Sequence, residues 1–157
     1  MRTDMVESYV RDLVERMTGT RPESDEDGDL RFEFGKALFF IRVINPGDAI
    51  VQVFSIAVAE LESTPALDTA LNEINSAIQF ARIFHVRGQV LIESEIWGSD
   101  VNPANLAYAC SNIASATDAY GPKLVETFGG VAVFEESKQP EYSQEELFRP
   151  AIHGGYL

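Results

Sequence analysis

Apolar residues recur at the helical interval near the start of the chain. Val6, Val10, Leu13, Val14 and Met17 fall at spacings of three and four, Asp4 with Glu7 has the form of a capping box, and Gly19 supplies a stop. The pattern then changes period. After an acidic turn from Glu23 to Asp29, Leu30, Phe32 and Phe34 alternate with Arg31 and Glu33, which predicts a half-buried strand. Residues 37–44, ALFFIRVI, are apolar at almost every position, the signature of a strand covered on both faces. The turn Asn45-Pro46-Gly47-Asp48 leads into a third strand, Ala49 to Val58, with Val51 and Val53 on one face and Ile50, Phe54 and Ile56 on the other. Short turns between three strands predict an antiparallel meander.

Thr64-Pro65 opens a second helix, with Thr as N-cap and Pro in the first turn. Its apolar stripe is Leu67, Ala70, Leu71, Ile74, Ala77, Ile78 and Ala81, with Asn72, Asn75 and Gln79 on a more polar flank. Arg82–Val86 and Gln89–Trp97 read as a hairpin joined at Arg87-Gly88, its in/out phase open by one residue. Asn102-Pro103 starts a third helix whose stripe, Leu106, Cys110, Ile113, Thr117, Tyr120, Leu124 and Phe128, keeps its phase through Gly121-Pro122. One long helix kinked at Pro122 is expected, ended by Gly129-Gly130. The order α-β-β-β-α-β-β-α predicts an α+β domain over residues 1–134, built on one antiparallel sheet with three helices. An acidic tail over 135–157 follows, carrying Tyr142, Leu147, Phe148, Ile152, Tyr156 and Leu157 among prolines and glycines.

Charge narrows the function. Twelve Lys and Arg stand against 25 Asp and Glu, a formal net charge of -13. Such a surface repels phosphate backbones and anionic membranes and attracts basic or partly unfolded partners. A single Cys, a start without a signal-peptide core and no apolar run of membrane-spanning length lead to the expectation of a cytoplasmic protein.

Candidate chemistry is sparse. Asp25, Asp27 and Gly28 suggest a calcium loop, but the alignment puts Phe34 where a bidentate Glu is needed, and a strand follows in place of a helix. His85 and His153 belong to no cluster with metal spacing, and no nucleophile elbow or phosphate loop occurs. Cys110 sits on an apolar stripe and reads as an inert buried thiol. Glu93 and Glu95 share a strand face and read as solvated. No catalytic residue, metal or cofactor is expected, and an enzyme is not the expected function.

The stretch Glu26 to Val43 resembles the strand region of YbjN-like proteins, also called TY-Chap domains, the type III secretion chaperone-like family. Leu71-Asn72-Glu73-Ile74-Asn75, running on to Phe80-Ala81-Arg82, is similar to that family's helix pattern, and Phe128-Gly129-Gly130 fits its third-helix end. The resemblance implies that the antiparallel sheet is curved, and it implies a homodimer that holds an extended partner segment without ATP. Its alternative is a sensory transduction regulator that binds one folded partner. It implies a dimer interface on the second helix through Leu71, Ile74 and Ile78. The partner-binding surface is assigned to the apolar face of Phe39, Ile41, Val43, Val51 and Val53, suited to strand addition or an apolar groove. The opposite face, through Leu38, Phe40, Phe54 and Ile56, is also apolar; one of the two must take the helices. The tail from Tyr142 to Leu157 is expected to dock on its own domain or its dimer partner.

Overall fold

The structure, a computed structural model, describes residues 2–45 and 47–133. The tail over 135–157 and its anchors, with His153, lie outside the described residues. The elements run α1 (Thr3–Thr18), β1 (Glu23–Ser24), β2 (Leu30–Phe34), β3 (Ala37–Ile44), β4 (Ile50–Ala59), α2 (Pro65–Ala77), β5 (Arg82–Val86), β6 (Gln89–Trp97), α3 (Pro103–Phe128) and β7 (Val131–Ala132). This is an α+β fold: three helices and a seven-stranded sheet of order β1-β2-β3-β4-β6-β5, with β7 beside β4. Every pairing is antiparallel.

The three helices share one face of the sheet. Val6, Val10, Leu13 and Val14 of α1, Leu67 and Leu71 of α2, and Leu106, Cys110, Ile113 and Leu124 of α3 form a single core with Phe32, Phe39, Ile41, Val51, Val53, Ile83, Val90 and Ile92 from the strands. Phe32 stacks on Phe39 at 5.5 Å between ring centroids, and Phe34 meets the same ring edge-on. This membership settles the phase of the β5–β6 hairpin: Ile83, Val90 and Ile92 point to the helices, and Leu91 points away. A register shift between Ile56 and Val58 turns both Ala57 and Val58 toward the helices and returns Ala59 to the far face.

Helix ends depart from the sequence reading in two places. The Asp4 side chain does not cap α1; Arg2 precedes the helix, and Asp4 takes two hydrogen bonds from its guanidinium instead. The reason is local: a neighbouring cation offers the carboxylate charge-assisted bonds that outcompete a backbone N–H. The second helix stops at Ala77, with Ile78 extended, so Ala81 is not on its stripe. Thr64 does cap α2, accepting from Leu67 N at 3.1 Å, and Asn102 caps α3 from Asn105 N at 2.9 Å. The third helix runs unbroken through Pro122.

Gly130 lets β7 reach β4. Its φ is +81°, and a Cβ there would lie 2.7 Å from both Ala59 O and Val58 Cγ1. The substitution Gly130→Ala is therefore expected to combine left-handed backbone strain, about 1–3 kcal/mol, with displacement of β7. Urea denaturation of the variant beside the native chain reads the loss, and an unchanged midpoint would refute this account.

Candidate functional site

The second face of the sheet carries its own apolar cluster: Leu38, Phe40, Phe54, Ile56, Ala59, Leu91 and Val133, with Phe84 and Val86 beside it. No helical residue belongs to it. Alternation produces this face directly, because residues one position away from each helix-facing side chain point to the opposite side. Cross-strand register sets its rows. Arg31, Phe40, Phe54, Glu93 and Arg82 lie side by side across five strands, and Ile56, Leu91 and Phe84 form the next row. Phe40 and Phe54 stack at 5.4 Å.

Toward the other end of the strands the face turns polar. Arg42, Gln52 and Glu95 make the adjoining row. Arg42 grips Asp29 with both Nε and Nη2, the latter at 2.7 Å, and Gln52 Nε2 donates to Glu95 at 2.9 Å. Glu93 is buried, with its Oε2 receiving both Nε and Nη2 of Arg82, so the solvated-face reading of this residue does not hold. The neighbouring strand supplies a counter-charge that lets the carboxylate leave water. Arg82 also lies over the Phe84 ring at 5.3 Å.

At one margin the sheet has an edge where β6 runs past β5, and among the described strands Ser94 to Trp97 pair with β4 alone. Beside this edge a groove of about 630 Å³ lies against α3, lined by Phe80, Ile96, Asn105, Tyr108, Ala109 and Asn112. Phe80 is 87% exposed, Tyr108 76% and Trp97 55%. Phe80 sits at φ +54°, uncommon for a bulky residue. Ser94 Oγ donates to its carbonyl, and Asn112 holds Gln79 O at 2.9 Å. The outer edge of β5, by contrast, is closed by a side chain. Asn75 of α2 accepts from Ile83 N and donates to Ile83 O, both at 2.8 Å. Its position on a polar helix flank was visible in the sequence; its bracketing of a strand was not.

The residues assigned to partner binding from sequence take another place. Phe39, Ile41, Val51 and Val53 are at most 1% exposed beneath the helices, and Val43 packs half-buried against them. Leu38, Phe40, Phe54 and Ile56 lie on the other face of the sheet. On α2, Leu71 belongs to the protein's own core, while Ile74 and Ile78 pack partly buried against it. Ile74 also lines a shallow apolar groove of about 370 Å³ with Ala70, Ala77, Tyr120, Leu124 and Phe128.

The remaining candidates are structural. His85 Nε2 lies 2.6 Å from Leu61 O, and burial pushes the Cys110 thiol up to about 12, leaving it protonated and unreactive. Carboxylate oxygens of Asp25, Asp27 and Asp29 lie within 4.8 Å of one another. Asp25 Oδ1, however, accepts from the backbone of Asp27 and Asp29, an Asx-type turn, and Asp29 is committed to Arg42. That guanidinium opposes a cation. No helix among the described residues is long and apolar enough to cross a membrane.

A family model described as T3SS (YopN, CesT) and YbjN peptide-binding chaperone 1 matches residues 4–136. No curated protein matches the chain. Among solved structures, a chain of the crystal structure of the ExsC-ExsE complex superposes with a TM-score of 0.60 at 12% identity. That match covers 76% of this chain and 93% of the other, and at such identity it shows the fold alone.

The Arg42–Asp29 pair anchors the polar end of the outer face and can be tested by pH. Burial raises the Asp29 pKa above its ordinary value despite the opposing guanidinium. The folded state therefore holds this proton more tightly than the unfolded one, and this group adds stability as pH falls through its folded pKa. Replacing Arg42 by Leu leaves a buried carboxylate without its counter-charge. The expected cost at pH 7 is about 3–5 kcal/mol. The gap from the native chain should narrow as pH is lowered toward the raised pKa of this carboxyl, where the acid becomes neutral; a gap that widens on acidification would refute the pairing.

Proposed function

The chain belongs to the TY-Chap1 family of peptide-binding chaperones, and on that premise we propose that it holds an extended protein segment on the outer face of its sheet, without ATP and in the cytoplasm. One observation carries the reading: among the described residues the sheet has helices on one side only, and its other side carries an apolar cluster drawn from β3, β4, β5 and β6. An extended chain is the matching ligand. Its side chains alternate, so one set can meet the Phe40, Phe54 and Leu91 surface, and a continuation of the segment can run along the edge where Ser94 to Trp97 of β6 extend past β5. Phe80 and Tyr108 supply exposed rings at that edge, where aromatic anchors contribute most to binding. The net charge of -13 favours segments carrying Lys or Arg. The structurally similar solved chain is part of a complex of ExsC with ExsE, in keeping with a protein as the ligand.

The segment-holding reading is tested by fluorescence anisotropy with short basic peptides of alternating apolar and polar residues. Saturable binding in the absence of nucleotide is expected. The double variant F80A/Y108A should bind about tenfold or more weaker with the melting temperature unchanged. No binding to any extended peptide, with capture of one folded partner instead, would favour the regulatory reading over this one.

We further propose a homodimer formed along α2, where the groove between α2 and α3 leaves Ile74 with apolar surface to share. Light scattering should give twice the chain mass for the native protein. Ile74→Asp would bury an unpaired charge at the interface, a cost of about 3–5 kcal/mol, and should give a monomer. A monomeric native chain would exclude the dimer.

A further inference from the structure

We propose that the cleft beside Trp97, at the end of β6, receives an arginine or lysine side chain of a protein partner. That the partner presents this side chain on an extended segment rests on the proposed function; the cleft itself does not. The outer face does not end at its polar row. Alternation continues past Arg42, Gln52 and Glu95 to a further row, in which Ile44 lies opposite Ile50 and Ile50 opposite Trp97. None of the three belongs to either apolar cluster. Ile44 and Ile50 are half-buried, and Trp97 is exposed over more than half of its surface. An indole left this far in water at a strand end is the kind of side chain that interfaces draw on, apolar in its body with an N–H at its rim.

Beside this ring lies a cleft of about 290 Å³ lined by Asp48, Ala49, Trp97 and Ser99. Its walls are tied together. Gly98 N donates to Ala49 O at 2.7 Å, which joins the turn between β3 and β4 to the turn after β6. A Cβ on Gly98 would lie 3.0 Å from Ala49 Cβ and 3.1 Å from Val6 Cγ2, so glycine lets the two turns close against the core. The volume falls at the lower limit of small-molecule pockets, about 300 Å³, and suits one long side chain. The chemistry selects a cation. Asp48 is exposed, and among the described residues its carboxylate takes part in no ion pair. Asp100, exposed in the second turn, donates its backbone N–H to Trp97 O at 2.8 Å and brings a second negative charge to the same end of the strand. The cation of the adjoining row, Arg42, is held by Asp29. A guanidinium or ammonium over an indole face gains cation–π attraction, and a carboxylate in the same cleft adds a charge-assisted hydrogen bond. A second copy of the chain is a poor occupant, since it would bring a surface of the same sign, with its own net charge of -13.

The chain holds one tryptophan, so selectively excited indole fluorescence reports this cleft alone. The probes are two peptides of alternating valine and serine, free of Trp and Tyr. One carries arginine at each end; the other carries citrulline there, its uncharged isostere. The arginine peptide should shift the Trp97 emission saturably and bind about fivefold or more tighter than its twin, an advantage that shrinks as salt is raised. Asp48→Asn should abolish that advantage while leaving the citrulline affinity within about twofold and the melting temperature unchanged. Trp97→Leu, followed by anisotropy of labelled peptides, should abolish it as well. Equal affinity for the two peptides, no emission shift with either, or an arginine advantage that survives both substitutions would overturn the proposal. So would an emission shift on diluting the chain alone, which would make a second copy the occupant. The F80A/Y108A variant separates this cleft from the proposed function. Binding that F80A/Y108A abolishes but that ignores arginine would retain the held segment and remove the cleft. An arginine-dependent shift of Trp97 that persists undiminished in F80A/Y108A would retain the cleft and remove the held segment.

Discussion

A sheet that receives all of its helices on one side leaves a second apolar face, and the rest of this molecule is arranged around that fact. Hydrophobic burial is the dominant favourable term in folding, and it is non-directional. It therefore acts on Phe40, Phe54 and Leu91 as strongly as on Phe39, Val53 and Ile92. Antiparallel sheets with one wet face normally place polar residues there. β3 instead has five consecutive buried residues, Ala37 to Ile41, and β4 is buried from Val51 to Ala59.

The polar end of the outer face sets where its apolar cluster stops. Asp29 with Arg42, and Glu93 with Arg82, are pairs in which one carboxylate has been taken almost wholly out of water. Buried ion pairs of this kind are a poor source of net stability. Their geometry is directional, however, and two bidentate guanidiniums fix the positions of β2, β3, β5 and β6 relative to one another in a way that Phe and Leu contacts do not. The frame around the apolar rows thus holds its register independently of the contacts within them.

Much of this was legible in the sequence, and the exceptions have a common cause. The stripes of α2 and α3, their Thr64 and Asn102 caps and the β2–β3–β4 meander follow from periods of 3.6 and 2 that no tertiary contact overrode. The choice of face was not legible. In ALFFIRVI both phases are apolar, so alternation cannot say which set meets the helices. Glu93 reads as solvated until its neighbour across the strand pair proves to be Arg82. Asn75 reads as a polar flank until the loop after α2 brings Ile83 within its reach. Each of these depends on a residue that register or chain reversal supplies, and period alone carries no such information.

That Asn75 is a latch on the sheet has a consequence for how the protein ages in solution. Among the described residues, the border of β5 is guarded by one amide near the end of α2 and not by another strand. Helix termini fray at far lower free energy than a core unfolds. When the last turn of α2 unwinds, Ile83 regains a bare backbone donor and acceptor, and the row of unguarded positions lengthens from the end of β6 back along β5 while the core stays folded. Edge-to-edge polymerisation then needs only a local excursion, and its rate tracks the looseness of one helical turn more closely than the melting temperature of the whole.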